Sequence, residues 1–139
     1  MSEQSPRSSL ISCLRYRDAP AAIDWLDRAF GLQAQLVIRN DDGTIAHAQL
    51  TSGGGMIMLG SCGDTEYGRL MKRPEQVGGF VTQSVCMIVD DADAVYASAK
   101  KAGAEIVIEI KDEDFGGRSF TCRDPEGQVW TIGTYNPWV

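Results

Sequence analysis

The chain has only one histidine, His47, in 139 residues. That scarcity weighs against any site built on two or more imidazoles. Basic residues are also few: 13 Lys and Arg stand against 19 Asp and Glu, for a formal charge of −6. With no basic stripe to meet phosphates, a nucleic-acid partner is not expected. No apolar run approaches the roughly 20 residues of a membrane span. Residues 1–9 are polar and lack the apolar centre of a signal peptide. A cytoplasmic protein with no membrane partner is therefore expected. The four cysteines, Cys13, Cys62, Cys86 and Cys122, are widely spaced and include no Cys-x-x-Cys pair. They read as small buried thiols rather than disulfides or metal ligands. Gly53-Gly-Gly55 lacks the Lys-Ser or Lys-Thr of a phosphate loop and reads as a hairpin turn.

What is present is an ordinary globular composition, 43% hydrophobic and 23% charged, that repeats once. Ile11-Ser-Cys-Leu-Arg-Tyr-Arg-Asp18 matches Ser84-Val-Cys-Met-Ile-Val-Asp-Asp91. Each is a short β-forming run closed by an aspartate placed to cap a helix. Ala22, Ile23, Leu26, Ala29 and Phe30 then fall on one helical face, with Pro20 near the start and Gly31 at the end. Ala94, Val95, Ala99 and Ala102, closed by Gly103, form the second stripe. Strands follow at 32–39, 45–51 and 56–59 in the first half, and at 104–110, 118–123 and 128–134 in the second. The turns Asp41-Asp-Gly43 and Asp124-Pro-Glu-Gly127 are set against each other as the matching turns of the two halves. The expected fold class is α+β: two βαβββ modules forming one curved mixed sheet around a concave cleft, helices outside. The chain reads as a single domain, with module one at about 9–60, a linker loop at about 61–82 and module two at about 83–135.

This pattern resembles the vicinal oxygen chelate superfamily, the fold of glyoxalases, bleomycin-resistance proteins and extradiol dioxygenases. The resemblance covers about residues 10–135. It rests on Leu14-Arg-Tyr-Arg-Asp18, Ala46-His-Ala-Gln-Leu50, Ala102-Gly-Ala-Glu-Ile106 and the long run from Gly117 through Asp124-Pro-Glu-Gly-Gln-Val-Trp130 to Tyr135. That last run is similar to an uncharacterised glyoxalase-like bacterial subgroup. The resemblance implies a divalent metal held by four inward-facing side chains, mapped here onto Ile11, Gln49, Ser84 and Thr131. An isoleucine and three neutral donors give a divalent cation neither charge nor imidazole. If the two turns set the register, His47 takes the place of Gln49 opposite Thr131. In either register no metal and no other cofactor is expected. The resemblance also implies a homodimer.

Strand alternation puts Ile11, Cys13, Arg15, His47, Gln49, Ser84, Cys86 and Thr131 on the inner face. Arg118 sits where a loop could bring a guanidinium over the cleft, or else is a surface arginine that Asp114 could pair with. Tyr67, in the linker, either closes over the pocket or lies free. An apolar to mildly polar lining of this kind suits a small organic ligand better than an ion. The expected function is a degenerate, metal-free glyoxalase-like site that binds such a molecule. The alternative is a metal-free lyase or isomerase with His47 as catalytic base, and a metal-dependent glyoxalase or dioxygenase ranks last. Ligand identity, and whether any reaction is catalysed, are not written in the sequence.

Overall fold

Alternating apolar residues in short runs, each closed by turn chemistry, give eight strands and two helices in a computed structural model that describes residues 7–139. The order is β1 (Ser12–Tyr16), α1 (Ala19–Phe30), β2 (Gln33–Arg39), β3 (Ile45–Ser52), β4 (Gly55–Ser61), β5 (Val85–Ile88), α2 (Ala92–Lys101), β6 (Glu105–Asp112), β7 (Arg118–Arg123) and β8 (Val129–Gly133). Short 3-10 turns lie at Gly68–Leu70 and Pro74–Val77. The βαβββ pattern thus occurs twice. Its strands form two four-stranded mixed sheets, ordered β1-β4-β3-β2 and β5-β8-β7-β6, rather than one hydrogen-bonded sheet. In each sheet the first strand runs parallel to the last, and the other pairings are antiparallel.

Both helices start as the sequence predicts. Asp18 and Asp91 each accept a hydrogen bond from the backbone N–H three residues on, at 3.1 Å, satisfying donors that a helix N-terminus leaves unpaired. Gly31 closes α1 at φ 75°, where its N–H reaches the Asp27 carbonyl.

The chain divides into two compact units. One comprises the chain up to Asp27 together with Gly31–Met71; the other comprises Arg28–Phe30 with Lys72–Val139. In the first, Tyr16, Ile45, Ala48, Leu50, Ile57 and Leu59 are buried. In the second, Trp130, Phe120, Ile132 and Cys122 are fully buried. Phe30 lies against Trp130 at 5.0 Å between ring centres, and Tyr96 meets Phe120 edge-on at 5.0 Å. The Ser98 hydroxyl donates to the Ala29 carbonyl at 2.6 Å.

Two expectations are corrected here. The turns at 41–43 and 124–127 are not counterparts: the first joins the second and third strands of its module, the second joins the third and fourth. Topologically β3 corresponds to β7 and β4 to β8, so Thr131, the partner of Cys86, matches Met58, the partner of Cys13. Glycine-ended aspartate turns close any hairpin, so turn chemistry alone could not say which one. The thiols are also less buried than expected. All four are free, but only Cys122 is buried, while Cys13 and Cys86 are exposed on the open sheet faces.

Burial, and then the charge of Asp124, push the Cys122 thiol up to about 12 from its ordinary 9.0. Between those values the unfolded chain releases a proton that the folded chain keeps, so stability should fall as pH rises. The slope is about 1.4 kcal/mol per pH unit. Denaturant unfolding at pH 8 to 10.5 should show this excess loss in the wild type and not in Cys122→Ala. Equal slopes in both would remove the assignment.

Candidate functional site

The register of the first sheet decides which side chains meet. Cys13, Met58, Gln49 and Leu36 lie side by side across β1, β4, β3 and β2. One pleat further on, Arg15 pairs with Gly60, and His47 with Ile38. Successive side chains alternate faces, so these residues share the face opposite buried Ala48, Leu50, Ile57 and Leu59. On that face Cys13, Arg15, His47, Met58 and Gly60 line a cavity of about 260 Å³, with Tyr67 joining from the following loop and Gln49 outside the lining. That is slightly below the usual range for small-molecule sites.

Three contacts hold the Arg15 side chain. One Nη donates to the Ser61 carbonyl at 3.3 Å. The guanidinium carbon lies 4.9 Å from the centre of the Tyr67 ring, a cation–π distance. The same Nη occupies the space that a Cβ on Gly60 would fill. Glycine at position 60 therefore leaves the room that the Arg15 terminus occupies in this position.

Tyr67 is presented by a turn folded on itself. Arg69 pairs with Asp64 at 2.8 Å, the Gly68 N–H donates to the Thr65 hydroxyl at 2.9 Å, and the Arg69 N–H donates to the Thr65 carbonyl. A Cβ on Gly68 would collide with the Gly63 carbonyl, which marks how tightly the turn is wound. This part of the expected linker is thus an ordered piece of the first unit.

A side-chain relay orients His47. Gln49 donates its amide N–H to the Gln35 side-chain oxygen at 2.7 Å, so its own oxygen is turned towards His47 Nε2, 2.8 Å away. With Gln49 in this orientation Nε2 is the donor and Nδ1 is left as the acceptor, the roles of the two nitrogens depending on the tautomer.

Ile11 is half-buried just ahead of β1, outside the cavity lining. The second unit carries the rest of the expected set. Cys86 neighbours Thr131, whose hydroxyl shares a 2.8 Å hydrogen bond with Thr121. Ser84 is exposed just before β5. Arg118 shares strand parity with Phe120 and Cys122, so it lies on the helix side of its sheet, not on the face of Thr131. Its Nε donates to Asp93 at 3.0 Å and an Nη donates to Asp112 at 3.4 Å, both carboxylates raising its pKa. The partners are therefore Asp93 and Asp112 rather than Asp114.

Among the described residues no group of three or more His, Cys, Asp or Glu could hold a metal ion. Gln49 uses its oxygen on His47 and its amide on Gln35, and Thr131 shares its hydroxyl with Thr121. Met58, the topological match of Thr131, offers only a soft thioether. These residues do not fit a hard divalent cation.

Residues 10–132 match the model of the Glyoxalase/Bleomycin resistance protein/Dioxygenase superfamily. The chain belongs to that superfamily. An uncharacterised protein of Mycobacterium bovis is 31% identical over 116 residues, covering 84% of this chain and 76% of that protein. Among solved structures, TioX from Micromonospora sp. ML1 is 32% identical with a TM-score of 0.72, covering 93% of this chain and 99% of its own. Lactoylglutathione lyase from Agrobacterium tumefaciens shares the fold at 20% identity and TM-score 0.61, over 92% of this chain and 94% of its own. Fold and family membership do not choose between enzyme and binder. Among the described residues, no helix is long and apolar enough to cross a membrane.

Proposed function

We propose that this superfamily member binds a small planar organic molecule, without a metal ion, on the first sheet face around Arg15, His47 and Tyr67. The observation that carries the reading is the Arg15–Tyr67 pair held over Gly60. It offers a flat cationic and aromatic surface beside one oriented imidazole, and the rest of the lining is apolar or neutral. Few polar groups in a largely apolar depression is the usual make-up of a small-molecule site.

A thermal-shift screen with bicyclic aromatics tests it. A ligand that binds only the folded protein stabilises it by about 2.7 kcal/mol at a hundred times its Kd, a rise of several degrees. Hits should lose that rise in Tyr67→Ala, and elemental analysis of protein purified without chelator should find far less than one equivalent of divalent metal. Stoichiometric metal that disappears in His47→Ala would overturn the reading.

The proton placement at His47 favours one second reading, a metal-free lyase or isomerase in which Nδ1 acts as base. Under it, a hit is converted to product, and His47→Ala abolishes turnover while binding survives. We also propose that the protein is a cytoplasmic homodimer. Supporting this is edge strand β2, which leaves Leu36 and Ile38 41% and 47% exposed. Sedimentation should return twice the 15.1 kDa chain mass.

A further inference from the structure

We propose that the ligand of this site is an anion, a planar aromatic carboxylate whose carboxyl group seats on the Arg15 guanidinium. The inference rests on the small-molecule reading above and narrows it to a charge class. Of the five N–H donors of a guanidinium, Arg15 commits one to the Ser61 carbonyl, and no other hydrogen bond engages the rest among the described residues. Among the described residues no Asp or Glu lines the cavity, and Arg15 supplies the only fixed charge there. Such a gap is unusual in a chain where 19 acidic residues outnumber 13 basic ones.

Four of the eight other arginines show a contrast. Arg69, Arg73, Arg118 and Arg123 each contact a carboxylate within 3.0 Å. The Arg15 contacts instead are with a carbonyl, a ring and a glycine. They fix the plane of the fork without neutralising it. A fixed planar fork matches a carboxylate, which can take two parallel N–H bonds. The neighbouring groups suit the rest of such a molecule. Met58 and Cys13 lie along the sheet from Arg15, and Leu36 and Ile38 continue the same face on β2. Met58 and Cys13 thus give an aromatic body an apolar floor beside Arg15, bounded by Gln49 and His47 on β3.

Two nearly isosteric probes separate charge from shape: 2-naphthoate and neutral 2-naphthamide, titrated calorimetrically into the full chain. Naphthoate should bind roughly tenfold or more tightly than the amide, as a charge-assisted pair implies. Arg15→Gln should remove naphthoate's advantage over the amide, bringing the two probes to similar affinities. In the wild type, raising salt from 50 to 500 mM should weaken naphthoate and spare the amide; this measurement stands even if the variant folds poorly. Equal affinity for both probes, lost in Tyr67→Ala, would overturn the anion inference while the small-molecule reading survives. No binding of either probe at millimolar concentration would overturn both.

Discussion

Replacing Asp124 with alanine is expected to destabilise the protein by about 3 kcal/mol, lowering the melting temperature by roughly 10 °C. Asp124 is 5% exposed. One carboxylate oxygen accepts from the Glu126 and Gln128 backbone N–H groups at 3.0 Å, and the other accepts from the Trp130 indole N–H at 3.1 Å. The side chain thus shapes the turn into β8 and satisfies a donor on a tryptophan that has no access to water. Alanine leaves that donor buried and unpaired, a loss well beyond that of a surface contact. Asparagine should fall between, because its oxygen can serve one set of donors while its NH2 faces the other. The decisive measurement is a double-mutant cycle by denaturant unfolding with Trp130→Phe, which removes the orphaned donor. The two losses should add to less than their sum, and strict additivity would sink the assignment.

Gly60→Ala is expected to cost under about 1 kcal/mol of stability yet reduce 2-naphthoate binding roughly tenfold or more. The new methyl would collide with the Arg15 Nη and crowd the Ala46 and Ile45 carbonyls at 3.2 and 3.4 Å. An arginine terminus can swing aside, so the fold suffers little. Swinging aside also takes the guanidinium off the Tyr67 ring and out of the cavity. A variant that melts near the wild-type temperature but binds naphthoate as well as the wild type would mean that Arg15 does not seat the ligand.

Much of the architecture was legible because it rests on local rules. The aspartate caps at 18 and 91, the glycine at 31 and strand alternation each have a cause within a few residues, and the two modules follow from them. Alternation likewise placed Cys13, Arg15, His47 and Gln49 on one face. The register between halves was not legible, since several turns share the same residues and only strand pairing shows which hairpin each one closes. The position of Arg118 was available in principle: it stands two residues before Phe120, whose buried side marks the helix face. The contact of Tyr67 with Arg15 was not, because 52 positions separate them and only the fold of the intervening turn brings them together. The room that Gly60 leaves for Arg15 is hidden for the same reason, since the atom that fills it belongs to another strand.

The turn carrying Tyr67 is closed by contacts among its own residues, Asp64, Thr65, Gly68 and Arg69. The freedom of that segment is lost during folding, so an incoming molecule need not order it again. Association then requires no loop closure, and its rate should approach that of an encounter with a rigid surface. Chemically related ligands would differ chiefly in how long they stay. Under the proposed function, such a site would sort molecules by residence time.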